Sequence, residues 1–146
     1  MPNVKESLDA LIELPGARSA ALVDSTSGMV LGQAGSVVNL EVAAAGNTEV
    51  VRAQLKSLKD LGLKDAIDDI LITLDTQYDI VRPLSKSPSI FLYLTMDKSK
   101  SNLALARHKV EECEANLVLL LLVVAPGGRR SQRMRFAPLK RCIALP

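Results

Sequence analysis

Residues 11–31 constrain the fold of this chain most, because they place a helix end, a stop and two short strands in close succession. Pro15 and Gly16 end the helix, since proline cannot continue it and glycine tolerates the left-handed backbone of a C-terminal cap. Residues 19–23 form an apolar run of strand length, and residues 25–28 are rich in turn formers. A helix, a strand, a tight turn and a second strand at the N-terminus open only a few small α/β folds.

The first helix is predicted to begin after Asn3 and to end at Leu14. Asn3 can cap its N-terminus, with Glu6 three residues later as in a capping box. An apolar face at helical spacing is formed by Val4, Leu8, Leu11 and Ile12. The β-hairpin that follows is predicted to have strands at residues 19–23 and 29–34.

The longest helical pattern covers residues 40–61, with Asn39 as its predicted cap and Gly62 as its end. At about 1.5 Å per residue this helix is roughly 33 Å long, enough to cross a small domain. Its apolar face consists of Leu40, Ala44, Val51, Leu55 and Leu58, and a second stripe of small residues consists of Ala43, Gly46, Val50 and Ala53. A glycine in mid-helix costs about 1 kcal/mol relative to alanine. Gly46 is therefore interpreted as a point of close helix contact, although a merely tolerated glycine gives the same pattern.

Three strands follow, predicted at residues 70–74, 78–84 and 89–96, with a turn at 75–77 and a loop at 85–88. The third of these strands is apolar on both faces, which is typical of a strand that is buried on both sides. We therefore expect it near the middle of a sheet that has helices on each face. A last helix, capped by Ser99 or Ser101, has a buried stripe of Leu103, Ala106, Val110, Cys113 and Leu117. The predicted order is αββαβββα.

Catalytic and ligand-binding patterns are lacking. His108 is the only histidine, and Cys113 falls on an apolar stripe where cysteine usually acts as a small hydrophobic residue. The carboxylates of residues 68–69 point to opposite faces of a strand, and those of residues 111–114 read as a solvated helix face. The glycines have neither P-loop nor Rossmann spacing. The sequence thus predicts a protein that is not an enzyme and has no metal, nucleotide or other cofactor.

Charge is distributed unevenly along the chain. Every Asp and Glu precedes Pro126, whereas the residues after it include Arg129, Arg130, Arg133, Arg135, Lys140 and Arg141. The mildly acidic body and its lack of exposed aromatic platforms argue against nucleic-acid binding. The apolar run at residues 117–125 is too short to span a bilayer, and no secretion signal is recognisable. A cytoplasmic protein without stable membrane insertion is expected.

The length of 146 residues fits one domain with an extension. Its core is expected to be mainly aliphatic, because only 3% of the residues are aromatic. The domain is predicted over residues 1–116. Residues 117–125 are interpreted as an apolar extension of the last helix, and residues 126–146 as a basic, disordered tail. A tether to an anionic membrane or to nucleic acid is the alternative interpretation of the tail.

Residues 8–116 resemble the Roadblock/dynein-light-chain family over essentially its full length. The resemblance rests on the order and spacing of several short segments, namely residues 14–16, 20–24, 28–31, 40–61, 70–73, 78–84, 91–94 and 102–107. It implies an α/β domain of the α+β type with a profilin-like fold, in which a five-stranded antiparallel sheet carries one helix on one face and two on the other. The sequence after Asn116 does not resemble the family.

The resemblance also implies a homodimer in which the long second helices pair and the third strands join into one sheet. Bacterial and archaeal members are partners or regulators of Ras-like small GTPases, and some accelerate GTP hydrolysis without supplying an arginine finger. The residues expected at the dimer interface are Ala43, Gly46, Asn47, Val50, Ala53, Ile70 and Ile72. Those expected to face the GTPase are the polar positions Glu41, Thr48, Glu49, Arg52 and Lys56, each of which can equally be ordinary solvated helix surface.

Two other functions remain open from the sequence. A passive scaffold or adaptor subunit of a motor or signalling assembly would use the same surfaces without altering GTP turnover. A ligand-sensing domain would need a pocket with convergent polar residues, which the sequence does not indicate.

Overall fold

The computed structural model describes residues 3–36 and 39–121, with the side chains of residues 118–121 excepted. Its elements are α1 (Val4–Ile12), β1 (Ala17–Asp24), β2 (Met29–Gly35), α2 (Leu40–Asp60), β3 (Ile70–Thr73), β4 (Gln77–Leu84), β5 (Ser87–Asp97) and α3 (Leu103–Leu121). This order confirms the predicted αββαβββα arrangement.

The five strands form one sheet in the order β2-β1-β5-β4-β3, and every neighbouring pair is antiparallel. Strand β5 is central, as its two apolar faces predicted. Its residues alternate between two cores. Leu92 and Leu94 face α1 and α3, whereas Phe91 and Tyr93 face α2. The sheet therefore has two helices on one face and a single helix on the other.

The α1–α3 side holds the larger core. It joins Leu8 and Leu11 of α1 to the sheet and to the buried stripe of α3, whose members Ala106, Val110, Cys113 and Leu117 are all inaccessible or nearly so. Leu117 is fully buried, and α3 continues to Leu121. The buried stripe of α3 therefore includes Leu117, the first residue of the predicted extension of this helix. The rest of the predicted extension and the basic tail, residues 122–146, lie outside the described residues.

The start of α1 follows the predicted capping box. The side chain of Asn3 accepts from the backbone N–H of Glu6, and the Glu6 carboxylate accepts from the backbone N–H of Asn3. The helix ends at Ile12, two residues before the predicted end. Gly16 then has a left-handed φ of 81°, and an added Cβ would lie 3.0 Å from the backbone of Lys100. The glycine that follows α1 thus also allows the loop before α3 to pack closely against this turn.

One predicted cap residue holds its position without the capping hydrogen bond, and the other predicted cap is wrong. Asn39 precedes α2, but it has a left-handed backbone and its side chain makes no capping hydrogen bond. At the start of α3 the cap is Asn102, whose side chain accepts from the backbone N–H of Leu105. Of the two predicted candidates, Ser101 donates its hydroxyl to the backbone oxygen of Asp97, and Ser99 donates its hydroxyl to the Asp97 carboxylate. Helical spacing located both helices, but the choice among neighbouring polar residues depends on how the preceding loop turns.

Strand boundaries shift by a few residues. The loop predicted at residues 85–88 is a two-residue turn, because β5 begins at Ser87 and pairs with Leu84. The buried carboxylate of Glu114 on α3 holds this turn, since it accepts from the backbone N–H of Ser85 at 2.8 Å and from its hydroxyl at 2.6 Å. Its other oxygen accepts from Nε of Arg82 at 2.6 Å. Glu114 therefore links α3 to the end of β4.

Burial by itself would raise the pKa of Glu114, but the hydrogen bonds from Ser85 and the guanidinium of Arg82 outweigh burial and hold the pKa below its ordinary value. A carboxylate with a lowered folded pKa stabilises the fold above its unfolded pKa, and this contribution is lost as the pH falls through the folded pKa. Glu114 thus contributes at neutral pH.

We expect Glu114→Ala to lower the free energy of unfolding by about 3 kcal/mol at neutral pH, because it leaves the half-buried guanidinium of Arg82 and the backbone N–H of Ser85 without their partner. The matched control is Glu111→Ala on the exposed side of the same helix. Urea denaturation at several pH values measures both. The difference between wild type and Glu114→Ala should shrink below about pH 4.5; a difference that is constant from neutral to acidic pH would contradict the assigned role.

Candidate partner interface

Helix α2 is only partly covered by its own chain. From its start to just past its middle, Leu40, Ala44 and Val51 are buried against β1, β4 and β5. Farther along, Leu55 is 37% exposed, and Leu58 is half-buried. The predicted apolar face is thus buried up to Val51, and the last turns of the helix offer apolar side chains to solvent.

The stripe of small residues lies beside this buried face. Ala43 is half-buried and contacts the α2-side core, Val50 is 37% exposed, and Gly46 and Ala53 are exposed. A Cβ added at Gly46 would meet nothing within 4 Å. No backbone of the described residues approaches Gly46, so packing within this part of the chain does not account for a glycine that weakens the helix.

Two predicted positions lie under the helix instead of on its open surface. Thr48 was expected to be exposed, but it is 2% exposed and donates its hydroxyl to the backbone oxygen of Ala44. Asn47 was expected on the small-residue stripe, but it is buried, and its amide nitrogen donates to the backbone oxygen of Ala43. The exposure expected of Thr48 is therefore wrong, and Asn47 is already enclosed within the single chain.

The other polar positions are exposed as expected. Glu41, Glu49, Arg52 and Lys56 all lie on the solvent side of α2. The Arg52 guanidinium donates to the Glu49 carboxylate at 3.0 Å and to the backbone oxygen of Thr26 at 2.8 Å. It therefore holds the β1–β2 turn against the helix. Lys56 forms an ion pair with Asp60 one turn later.

Strand β3 is one end of the sheet and pairs only with β4 among the described strands. Ile70 and Ile72 are half-buried, and Ile70 contacts the α2-side core. The N–H of Leu74 donates to the oxygen of Gln77, and hydrogen-bonded pairs alternate along an antiparallel ladder. The backbone groups of Leu71 and Thr73 therefore point away from the sheet, as at an edge that can accept another strand.

A buried polar cluster lies on the same side, next to this edge. Asp79 of β4 is 8% exposed, and it accepts from the amide nitrogen of Gln77 at 2.7 Å and from the hydroxyl of Tyr93 at 3.4 Å. Burial, and then the Asp79 charge, raise the pKa of Tyr93 to about 12. Sequence reasoning missed this cluster. The available signal was a single aspartate directly before the apolar residues Ile80 and Val81 of a predicted strand.

The remaining chemistry-bearing residues are isolated. His108 is exposed on α3, and its Nε2 lies 4.0 Å from a carboxylate oxygen of Glu112. Burial raises the pKa of the Cys113 thiol to about 12. Within residues 3–36 and 39–121, no three His, Cys, Asp or Glu side chains are grouped as metal ligands. No helix in the same part of the chain is both long and apolar enough to cross a membrane.

Three solved structures show what this architecture is similar to. MglB from Myxococcus xanthus superimposes with a TM-score of 0.72 and 17% identity, covering 81% of this chain and 94% of that one. A Roadblock/LC7 domain from Streptomyces avermitilis has a TM-score of 0.70 and 14% identity, covering 79% and 94%. The gliding protein MglB from Thermus thermophilus has a TM-score of 0.63 and 20% identity, covering 75% and 81%.

The chain has the Roadblock/LC7 fold. At these identities the likeness is one of fold, and it confirms the architecture that the sequence resemblance implied. No protein-family model matches the sequence, and no curated protein matches it. In this Roadblock/LC7 fold, α2 lies on the face of the sheet to which the edge strand β3 contributes the side chain of Ile70.

We expect Gly46→Leu to leave the single-chain fold intact, because a side chain at this position meets nothing within 4 Å. If α2 pairs with a second copy along the small-residue stripe, the substitution should convert dimers to monomers. Light scattering at concentrations on the order of tens of micromolar measures the mass, and circular dichroism checks the fold.

Ala45→Leu is the matched control, because Ala45 is exposed on the same helix turn but lies outside the stripe. It should leave the mass unchanged. A wild-type protein that is monomeric under these conditions would contradict pairing through α2.

Proposed function

We propose that this protein is a homodimeric interaction module that binds a Ras-like small GTPase and regulates it without an active site of its own. The observation that carries the proposal is the open side of α2, where a costly mid-helix glycine faces empty space beside exposed apolar side chains. Such a surface is typical of a helix that packs against another chain. The resemblance to the Roadblock family supplies the class of partner.

Two adjacent surfaces, the small-residue stripe of α2 and the free edge of β3, support the homodimer. A two-fold axis brings each residue of a helix close to its copy or to a neighbour of its copy. Small residues at Ala43, Gly46 and Ala53 allow two helix backbones to approach closely, and Val50 would then be covered. The free edge of β3 lies on the same side of the sheet, so Ile70 and Ile72 would be covered as well.

The GTPase is proposed to contact the exposed polar positions of α2, namely Glu41, Glu49, Arg52 and Lys56. Arg52 is the residue best suited by charge to a nucleotide phosphate. Its guanidinium, however, is already engaged by Glu49 and by the β1–β2 turn. This supports regulation through the shape of the GTPase rather than through an inserted arginine.

Binding is tested by titrating the protein into a Ras-like GTPase from the same organism, loaded in turn with GDP and with a non-hydrolysable GTP analogue. The proposal expects binding that depends on the nucleotide, and a change in single-turnover GTP hydrolysis. Binding without any change in hydrolysis would replace regulation by the scaffold function. An absence of binding to every such GTPase would refute the proposal.

Arg52→Ala separates the two ways of stimulating hydrolysis. An arginine finger is worth about 10³-fold or more in rate, whereas loss of the contacts to Glu49 and Thr26 should lower the stimulated rate by less than about tenfold, because it only loosens the β1–β2 turn. Single-turnover hydrolysis with saturating protein measures the effect. Lys59→Ala, which removes an exposed charge from the last turn of α2, is the control.

A further inference from the structure

Asp79 is a buried carboxylate without a cationic partner among the described residues. It is 8% exposed, and its two oxygens accept only from the neutral amide of Gln77 and the neutral hydroxyl of Tyr93. Burial raises the pKa of Asp79 above its ordinary value, and these two hydrogen bonds oppose the effect only in part. Glu114, by contrast, accepts from the guanidinium of Arg82 at 2.6 Å.

The groups around Asp79 come from every element that packs on this side of the sheet. On β5 they are Tyr93 and Thr95, on β3 the residue directly opposite is Ile72, and on α2 the side chain of Asn47 lies near the Tyr93 hydroxyl. Tyr93 is the only other titratable side chain among these groups, and Arg18 of β1 lies one hydrogen bond farther away, where its guanidinium donates to the Gln77 amide oxygen at 3.2 Å and pairs with Asp97. Within the described parts of the chain, no lysine, arginine or histidine pairs with the Asp79 carboxylate.

The position of Asp79 places it beneath the proposed dimer interface. Residues directly opposite each other in an antiparallel pair have Cβ atoms about 5 Å apart, and Ile72, opposite Asp79, lies on the free edge strand. Asn47, which reaches Tyr93 from α2, is one residue from Gly46 on the open stripe. A second copy seated on this surface would remove the water that still reaches the carboxylate.

We propose that association through α2 and β3 is coupled to proton uptake at Asp79, so that two copies bind each other more tightly at acidic pH than at alkaline pH. This inference rests on the homodimer of the proposed function. Removing water from an unpaired carboxylate disfavours its charged form. The dimer then binds more protons than two separate chains, and by linkage its dissociation constant rises with pH.

The experiment measures the dimer dissociation constant by sedimentation equilibrium at several pH values. For the wild type we expect the dissociation constant to be lower by about tenfold or more at about pH 5.5 than at about pH 8, since one pKa unit corresponds to tenfold in an equilibrium constant. Asp79→Asn keeps the shape and the acceptor oxygen but removes the charge. Its dimer should bind tightly at both pH values.

Asp75→Asn is the control, because Asp75 is an exposed carboxylate in the β3–β4 turn, and it should retain the wild-type pH dependence. The carboxyl ¹³C resonance of Asp79 provides a second measurement that does not depend on how well Asp79→Asn folds. It should titrate at higher pH in the wild-type dimer than in a monomeric Gly46→Leu chain.

A wild-type dissociation constant that does not vary with pH would overturn the inference and leave the dimer intact. The same conclusion follows if the dissociation constant of Asp79→Asn varies with pH as much as that of the wild type. It also follows if the wild-type dissociation constant falls as the pH rises, which is expected if the second copy supplies a cation to Asp79. A monomeric wild type at every pH would instead refute the proposed homodimer.

Discussion

Strand β5 buries side chains on both of its faces, and this requirement sets the layers of the molecule. Phe91 on one face and Leu92 and Leu94 on the other are fully buried. Each such side chain contributes about 1.5–3 kcal/mol when it is removed from water. A strand of this kind is stable only at the centre of a sheet with helices on each side, and the flanking strands and helices are arranged accordingly.

The two faces of the sheet are covered unequally. Two helices close one face over a continuous core, and Glu114 ties one of them, α3, to the end of β4. A single helix crosses the other face, and it leaves the edge strand β3 and the small-residue stripe around Gly46 open. The surface proposed for assembly is therefore a consequence of the fold: α2 is longer than the part of the sheet that it covers, and its exposed end retains apolar side chains.

Two buried carboxylates have pKa values that are shifted in opposite directions. Glu114 has a guanidinium and two donors from Ser85, so its pKa is lowered and its charge stabilises the closed face. Burial raises the pKa of Asp79, because its neutral donors offset burial only in part, and its charge is a cost. One residue fastens α3 to the sheet. The other lies under the open face, where a change in protonation can be coupled to association.

The sequence by itself determined the order of elements, the central place of β5 and the fold, because helical and strand periodicity and turn residues are local signals that repeat over each segment. It did not determine which polar side chains would be enclosed. Thr48 was expected to be exposed, and Asp79 was not singled out at all. Their burial depends on where α2 crosses the sheet and on which β5 residue lies beside each β4 residue. Such contacts join residues far apart in the chain, so only the tertiary structure decides them.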